Sequence, residues 1–254
     1  MRKLLVGYLI LITACLSPSA GQTAASTRVP ESRPTATHQT PPTPVTVTQT
    51  SAPVPTFSPT PFPAYFTEEF DSTLEQWTSF LTSRDEASPR VDLQNGALTL
   101  DFSAPNTWYY ALHNAHEYPT VHIETKFNSA GNRPVSLGLV CSYSEEDGWV
   151  EFNITSDGTY NVLVGKWLAA GIAQYTPIAS DGSEYLSSSK TDYEIGLTCR
   201  QDILQLYING KLFRNLDFSR YEFRPGKIGV AAAVFENAPV TAYFEWLRVS
   251  EPAE

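Results

Sequence analysis

The sequence predicts an all-β body, a two-sheet antiparallel sandwich, behind a long proline- and threonine-rich stalk. Three observations carry that expectation. Apolar residues alternate with polar ones at a period of two through most of residues 65–254. Short turn signals sit between the alternating runs. No stretch keeps a helical repeat for three turns.

The N-terminus reads as an export signal. Met1-Arg2-Lys3 is a short basic start, and the eleven residues from Leu4 to Ala14 are apolar, ending in small side chains. A membrane-spanning helix needs about 20 apolar residues, so this run is too short for one. Ile12-Thr13-Ala14-Cys15 resembles the bacterial lipobox. That resemblance implies cleavage before Cys15 and acyl chains on its thiol and new amino terminus, two or three chains being needed for stable anchoring. An ordinary secretory signal is the alternative, but cleavage after Ala20 would put Pro18 where a small residue is wanted. An uncleaved anchor is the third reading. The expectation is a signal peptide over 1–14 and an exported chain held to the membrane by lipid on Cys15, facing away from the cytoplasm.

Residues 15–64 form the lipidated cysteine and its linker. From Leu16 to Ala64 there are eleven prolines, eleven threonines and six serines but only three charged residues, Arg28, Glu31 and Arg33. Such a segment has too little apolar surface to fold, and proline keeps it extended. At about 3.1 Å per residue it spans on the order of 100 Å. A plain spacer is the simplest reading, and Ser/Thr-Pro stalks are also frequent O-glycan carriers.

Residues 65–254 are long enough for one sandwich domain with its own core. The chain carries −10, the signal contributes +2 and the stalk +1, which leaves the domain near −13. That charge argues against nucleic acid and against an anionic membrane surface as partners. The alternating sets follow in order. They are Val121, Ile123, Thr125 and Phe127; Leu137, Leu139, Cys141 and Tyr143; Val150, Phe152 and Ile154; and Tyr160, Val162 and Val164. Then come Tyr193, Ile195, Leu197 and Cys199; Leu204, Leu206 and Ile208; and Ile228, Val230, Ala232 and Val234. "EEDG" (Glu145 to Gly148), "SDG" (Ser156 to Gly158) and "NGK" (Asn209 to Lys211) supply hairpin turns. Packing two such sheets buries the apolar parity of every strand.

The segments "YEIGLTCRQDILQLYINGKLFRNL" and "FRPGKIGVAAAVFENAPVTAYFEWLRVS" resemble the concanavalin A-like lectin/glucanase jelly roll. The pattern is also similar to the 3-keto-disaccharide hydrolase-like and laminin-G-like groups. The resemblance implies that the last strand, "FEWLRV", lies beside the first, "FTEEFDS" (Phe66 to Ser72). It covers most of residues 65–250, and its motifs are structural. With Cys15 assigned to lipid, Cys141 and Cys199 remain, both on apolar parities of strands. In an oxidising compartment a disulfide between them is expected, two buried thiols being the alternative.

Glucanases of that fold carry Glu-x-Asp-x-x-Glu on one strand, which puts the nucleophile and the acid/base on one face. This sequence has no such run; "EEFDSTLE" has the wrong spacing, and "SEEDGWVEF" is read as a turn. No catalytic residue is therefore assigned. His113, His116 and His122 match no zinc spacing and are read as surface histidines. No cofactor is expected beyond the structural calcium that the resemblance implies, with Asp71 near the first strand and Glu245 on the last as candidate ligands. Trp77 and Trp246 are read as core. Asn153-Ile154-Thr155 is formally a glycosylation sequon, which a bacterial lipoprotein seldom uses.

The aromatics carry the functional expectation. Trp108-Tyr109-Tyr110 cannot all face inward on one strand, Trp149 follows a turn, and Trp167 closes another strand. Aromatic faces stack on the CH groups of sugar rings, so Trp108, Tyr110, Trp149 and Trp167 are the candidate ligand-binding residues. The expected role is a non-catalytic, surface-displayed module binding polysaccharide or cell-wall glycan. A protein-interaction domain without a small ligand and a glycan-active hydrolase on the same fold are the alternatives.

Overall fold

A computed structural model describes residues 61–83, 88–130, 134–221, 224–236 and 238–253. The signal, Cys15 and the stalk up to residue 60 lie outside the described residues. The chain runs through β1 (Phe66–Glu68), β2 (Trp77–Ser83), β3 (Arg90–Leu93), β4 (Leu98–Phe102), β5 (Thr107–Tyr118), β6 (Val121–Ala130), β7 (Val135–Ser144) and β8 (Gly148–Thr155). It continues with β9 (Thr159–Ala169), β10 (Ile172–Gly182), β11 (Tyr193–Cys199), β12 (Ile203–Ile208), β13 (Lys211–Asp217), a one-turn 3-10 helix (Ser219–Tyr221), β14 (Gly226–Val234) and β15 (Val240–Ser250).

Two antiparallel sheets result. The first has the order β13-β12-β11-β6-β15-β4-β3, with β1 paired to the far half of β15. The second has the order β10-β9-β8-β7-β14-β5-β2. The pairing Phe66↔Val249 through Glu68↔Leu247 sets the first strand beside the last, as the resemblance implied. The alternation of the sequence becomes the core: Val121, Ile123 and Phe127 of the first sheet pack in one cluster with Leu137, Phe152, Val162 and Val230 of the second. The turns form as read. In "NGK", Asn209 and Gly210 both have positive φ, 49° and 72°, the conformation a two-residue hairpin of this twist requires.

Cys141 of β7 is bonded to Cys199 of β11, with Cα atoms 6.7 Å apart and both residues fully buried. The disulfide therefore ties one sheet to the other through the core. It closes a separation of 58 residues, which removes up to about 4 kcal/mol of chain entropy from the unfolded state.

Three expectations need correction. Trp246 is not core. The register between β15 and β6 shifts between Phe244 and Trp246. That bulge at Glu245 turns Leu247 and Val249 inward and leaves Trp246 half-exposed on the outer face, with the Arg248 guanidinium 4.9 Å over its ring. His113 is not at the surface: it is fully buried on the inner parity of β5, against Phe66 (4.5 Å), Phe62 (4.9 Å) and Trp77 (5.3 Å). Finally, "SEEDGWVEF" is a turn only as far as Asp147; Gly148, Trp149 and Glu151 already belong to β8. The end of the presumed linker also touches the body, Phe62 through that ring contact and Ala64 by accepting a 2.6 Å hydrogen bond from the Tyr118 hydroxyl.

Candidate functional site: a cleft on the outer face of the second sheet

The pleat sorts the residues of the second sheet between two faces. Val150, Phe152 and Ile154 of β8 enter the core, so Trp149, Glu151 and Asn153 face outward. The same parity turns Trp108, Tyr110 and Leu112 of β5 outward and leaves Tyr109 and Ala111 inside. From β9 it exposes Asn161, Leu163 and Trp167, and from β14 the small side chains of Ala231 and Ala233.

This outer face is not open to solvent throughout. Its two edge strands are β2 and β10, six spacings apart, or roughly 29 Å in a flat sheet. Yet the Thr82 hydroxyl of β2 hydrogen-bonds the Tyr175 hydroxyl of β10, and the rings of Phe80 (β2) and Trp167 (β9) lie 5.0 Å apart. The sheet is thus rolled across its strands until its edges meet. One half of the enclosed groove is filled by rings. Phe80 stacks on Tyr110 at 4.6 Å, while Trp149 meets Tyr110 at 5.2 Å and Trp167 at 5.1 Å. Gly165 makes the packing possible, because a Cβ there would lie 2.3 Å from the Trp149 ring.

The other half is empty. A cleft of about 210 Å³ is floored by Ala231 and Ala233 and walled on one side by Glu151, Asn153, Asn161, Ser136 and Ser180. Opposite stand Trp108 and Phe235, with ring centroids 5.9 Å apart. Sites that engulf drug-sized ligands run to about 300–1,000 Å³, so this one suits a single small polar unit. Small side chains on β14 create the space; amides and hydroxyls supply donors and acceptors around it.

Glu151 joins the two halves. Its carboxyl is almost fully buried and accepts a 3.4 Å hydrogen bond from the Trp149 indole N–H. Burial raises its pKa to about 7, against the opposing hydrogen bonds of Tyr110, Trp149 and Asn153. The Tyr110 hydroxyl in turn bonds that of Tyr175 at 2.9 Å, and burial, reinforced by the Glu151 charge, pushes the Tyr110 phenol far up. Tyr175 is raised to about 12, chiefly by burial. The network therefore runs Thr82–Tyr175–Tyr110–Glu151 with neutral phenols throughout.

The four aromatics singled out by sequence all lie on this face, but in different states. Trp108 is half-exposed and lines the cleft; Trp167 is half-exposed at the hairpin end. Tyr110 and Trp149 are buried at 1% and 2% relative exposure, Tyr110 showing only an edge to the cleft. Glu151, Asn153 and Asn161 were missed. The parity opposite Val150, Phe152 and Ile154 was the signal that could have found them. Asn153, the sequon residue, is buried and donates to Asn161 Oδ1 at 3.3 Å.

The calcium candidates do not converge on a donor cluster. Asp71 is exposed just after β1, and Glu245 is held by Lys126 at 2.6 Å. Among the described residues no group of three or more His, Cys, Asp or Glu side chains is placed to hold a metal ion. A second cavity, about 220 Å³, opens beside the β7–β8 turn. Lys166, Arg220, Arg224 and Asp147 line it, the last two paired at 3.3 Å. Trp149, Phe218 and Tyr221 also reach it, but neither Trp108 nor Trp167 does.

No protein-family profile and no curated protein sequence matches the chain. Solved structures do. A Bacillus licheniformis beta-glucanase superposes with a TM-score of 0.52 at 13% identity, covering 75% of this chain and 99% of that one. The carbohydrate recognition domain of Emp46p gives 0.52 at 15%, covering 75% and 98%. The Crh5 transglycosylase gives 0.53 at 13%, covering 75% and 85%. At such identities the likeness is one of fold. The body has the two-sheet antiparallel jelly-roll fold of these structures, as its strand pattern suggested.

Proposed function

We propose that the domain is a non-catalytic module that binds glycan in the cleft above Ala231 and Ala233, displayed from a membrane by acyl chains on Cys15 and the intervening stalk. One observation carries the binding reading. A half-buried tryptophan, Trp108, faces Asn153, Asn161, Ser180 and Glu151, set among Leu163 and Pro177, across a space that suits a single sugar ring. The structural neighbours named for carbohydrate recognition and glucan cleavage share the fold and lend weight to a glycan-related role.

Binding is preferred to cleavage on chemical grounds. Two-carboxylate glycoside hydrolysis needs a second carboxyl within about 5–10 Å of the first. Among the described residues lining the cleft, Glu151 is the only carboxylate. A glycan array probed with the full chain and its Trp108→Ala and Asn153→Ala variants tests this reading. Signals at least tenfold weaker for both variants, with both still fully folded at the assay temperature, are the expected result. An array without signal, or signals indifferent to Trp108→Ala, would sink it. Membrane display is checked separately by mass spectrometry: an unacylated mature terminus beyond Cys15 overturns it.

A further inference from the structure

We infer that the cleft is a blind pocket that accepts the terminal, uncharged sugar of a chain and cannot pass a chain through. This rests on the glycan reading above and goes beyond it in naming the part of the glycan that is recognised. The argument begins with the roll of the sheet. Because β2 and β10 meet, through Thr82 with Tyr175 and Phe80 toward Trp167, the groove between them runs along the strands and has two ends. A polymer lying along it needs both ends open. On β8 the residues facing the groove are Trp149, then Glu151, then Asn153. The free volume touches Glu151 and Asn153; the Trp149 end is packed solid with rings.

That plug is structurally committed. Trp149 and Tyr110 are as buried as core residues, and Gly165 leaves no slack beneath the indole. The phenol hydroxyls of Tyr110 and Tyr175 are satisfied by each other and by Thr82, so none is left over to greet a second sugar. A ligand enters from the Asn153 end, packs one ring against Trp108, and stops.

The lining also speaks to charge. No Lys, Arg or His is among the described residues that line the cleft, and its one carboxyl is that of Glu151. A uronic acid or sulfated sugar would bury its own anion in this lining without a counter-charge, which is costly. Neutral hydroxyls instead find acceptors and donors in Asn153, Asn161 and Ser180.

The test is a calorimetric titration of the full chain with neutral oligosaccharides from one to six units, built on glucose, mannose and galactose, together with the cyclic oligosaccharide and the uronic-acid counterpart of whichever series binds. Affinities within about threefold between the disaccharide and the hexasaccharide, with cyclic and uronic forms at least tenfold weaker, are expected. Affinity that climbs tenfold or more with length, or a cyclic ligand bound as well as the linear one, overturns the blind end while leaving glycan binding intact. Equal binding of the uronic form overturns the preference for an uncharged sugar. No binding by any neutral series overturns this inference and the glycan reading together.

Discussion

The two faces of the seven-stranded sheet are both lined with buried side chains, and they are built on different chemistry. The inner face meets the other sheet through aliphatic residues packed around Phe152, Tyr109, Tyr160 and Trp77, and its disulfide locks the layers together. The outer face buries Tyr110, Trp149 and Tyr143 with Phe80, Trp167 and Tyr175 by curling the sheet on itself. Most of these rings carry a polar handle, and several of the handles are tied to one another or to Glu151. Each face also hides one group whose shifted pKa falls between acid and neutral pH: His113 inside, at about 4, and Glu151 outside, at about 7. The inner face is a continuous core whose polar ring atoms are tied off singly, as the Tyr118 hydroxyl is by the Ala64 carbonyl. The outer one is a polar-aromatic lattice that stops halfway and leaves a cleft. A sheet face can therefore be core at one end and recognition surface at the other.

The largest effect that bears on this contrast comes from paired truncations on one strand. Phe152→Ala opens a cavity in the inner core and is expected to cost about 3–5 kcal/mol in denaturant unfolding. Trp149→Ala should cost as much if the rolled face is a second core. A loss below about 1 kcal/mol for Trp149→Ala would mean that the plug is loose, and the contrast would collapse into one core and one ordinary surface.

The two buried titratable groups give opposite pH dependences. Glu151 loses its proton near 4.5 when unfolded but near 7 when folded, so the folded chain binds the extra proton between those values. Its contribution is complete below pH 4.5 and is lost as pH rises to about 7, a span worth about 3 kcal/mol. His113 behaves in reverse. Burial, and secondarily the charge of His116, lowers it from 6.5 to about 4. Stability is full above pH 6.5 and is lost by a similar amount as pH falls toward 4. Unfolding in urea at pH 4, 5.5 and 7.5 separates them. Glu151→Gln should abolish the alkaline loss, whereas His113→Phe should abolish the acid loss and leave stability at pH 7.5 unchanged or higher. Neither ring nitrogen of His113 has a hydrogen-bond partner among the described residues, so the phenyl ring gives up nothing there. Wild-type slopes persisting in the variants would show that other groups govern the profile.

Strand identity, hairpin turns and the disulfide were legible from local parity, turn residues and the shortage of cysteines, whereas the pairing of first and last strands came from the resemblance to the jelly-roll fold. The rolled face was less so. Alternation marks one side of a strand as core and by default assigns the other to water; it does not report that a sheet will curl until its edges touch. Trp149 and Tyr110 were therefore taken as exposed platforms although both are buried. Glu151 and Asn153 sat on a readable parity, hidden by the acidic turn that precedes them. Trp246 escaped because a single extra residue, Glu245, reverses parity within a strand that looks regular. His113 shares the inner parity of Tyr109 and Ala111, but its neighbours His116 and Pro119 made the segment look like a turn.

Smaller effects sharpen the boundary within the outer face. Trp108 is half-exposed and contacts Phe235 and, at 6.3 Å, Tyr175. Trp108→Ala should lower stability by about 1 kcal/mol, well under Trp149→Ala, since only part of its surface leaves water on folding. A cost equal to that of Trp149 would make Trp108 part of the plug and not of the cleft. The least effect is expected on the first sheet, at Lys126 and Glu245. This pair is close, at 2.6 Å, but both side chains are more than a third exposed. Coulomb attraction between exposed partners is mostly cancelled by solvation and side-chain entropy, which leaves about 0–1 kcal/mol. Lys126→Ala should therefore barely move the unfolding midpoint, and the remaining difference should shrink in 1 M salt. It also frees the Glu245 carboxylate, so a midpoint that rises on adding calcium to Lys126→Ala but not to the wild type would mark Glu245 as a latent oxygen ligand; equal midpoints with and without calcium would leave it a surface ion-pair partner and nothing more.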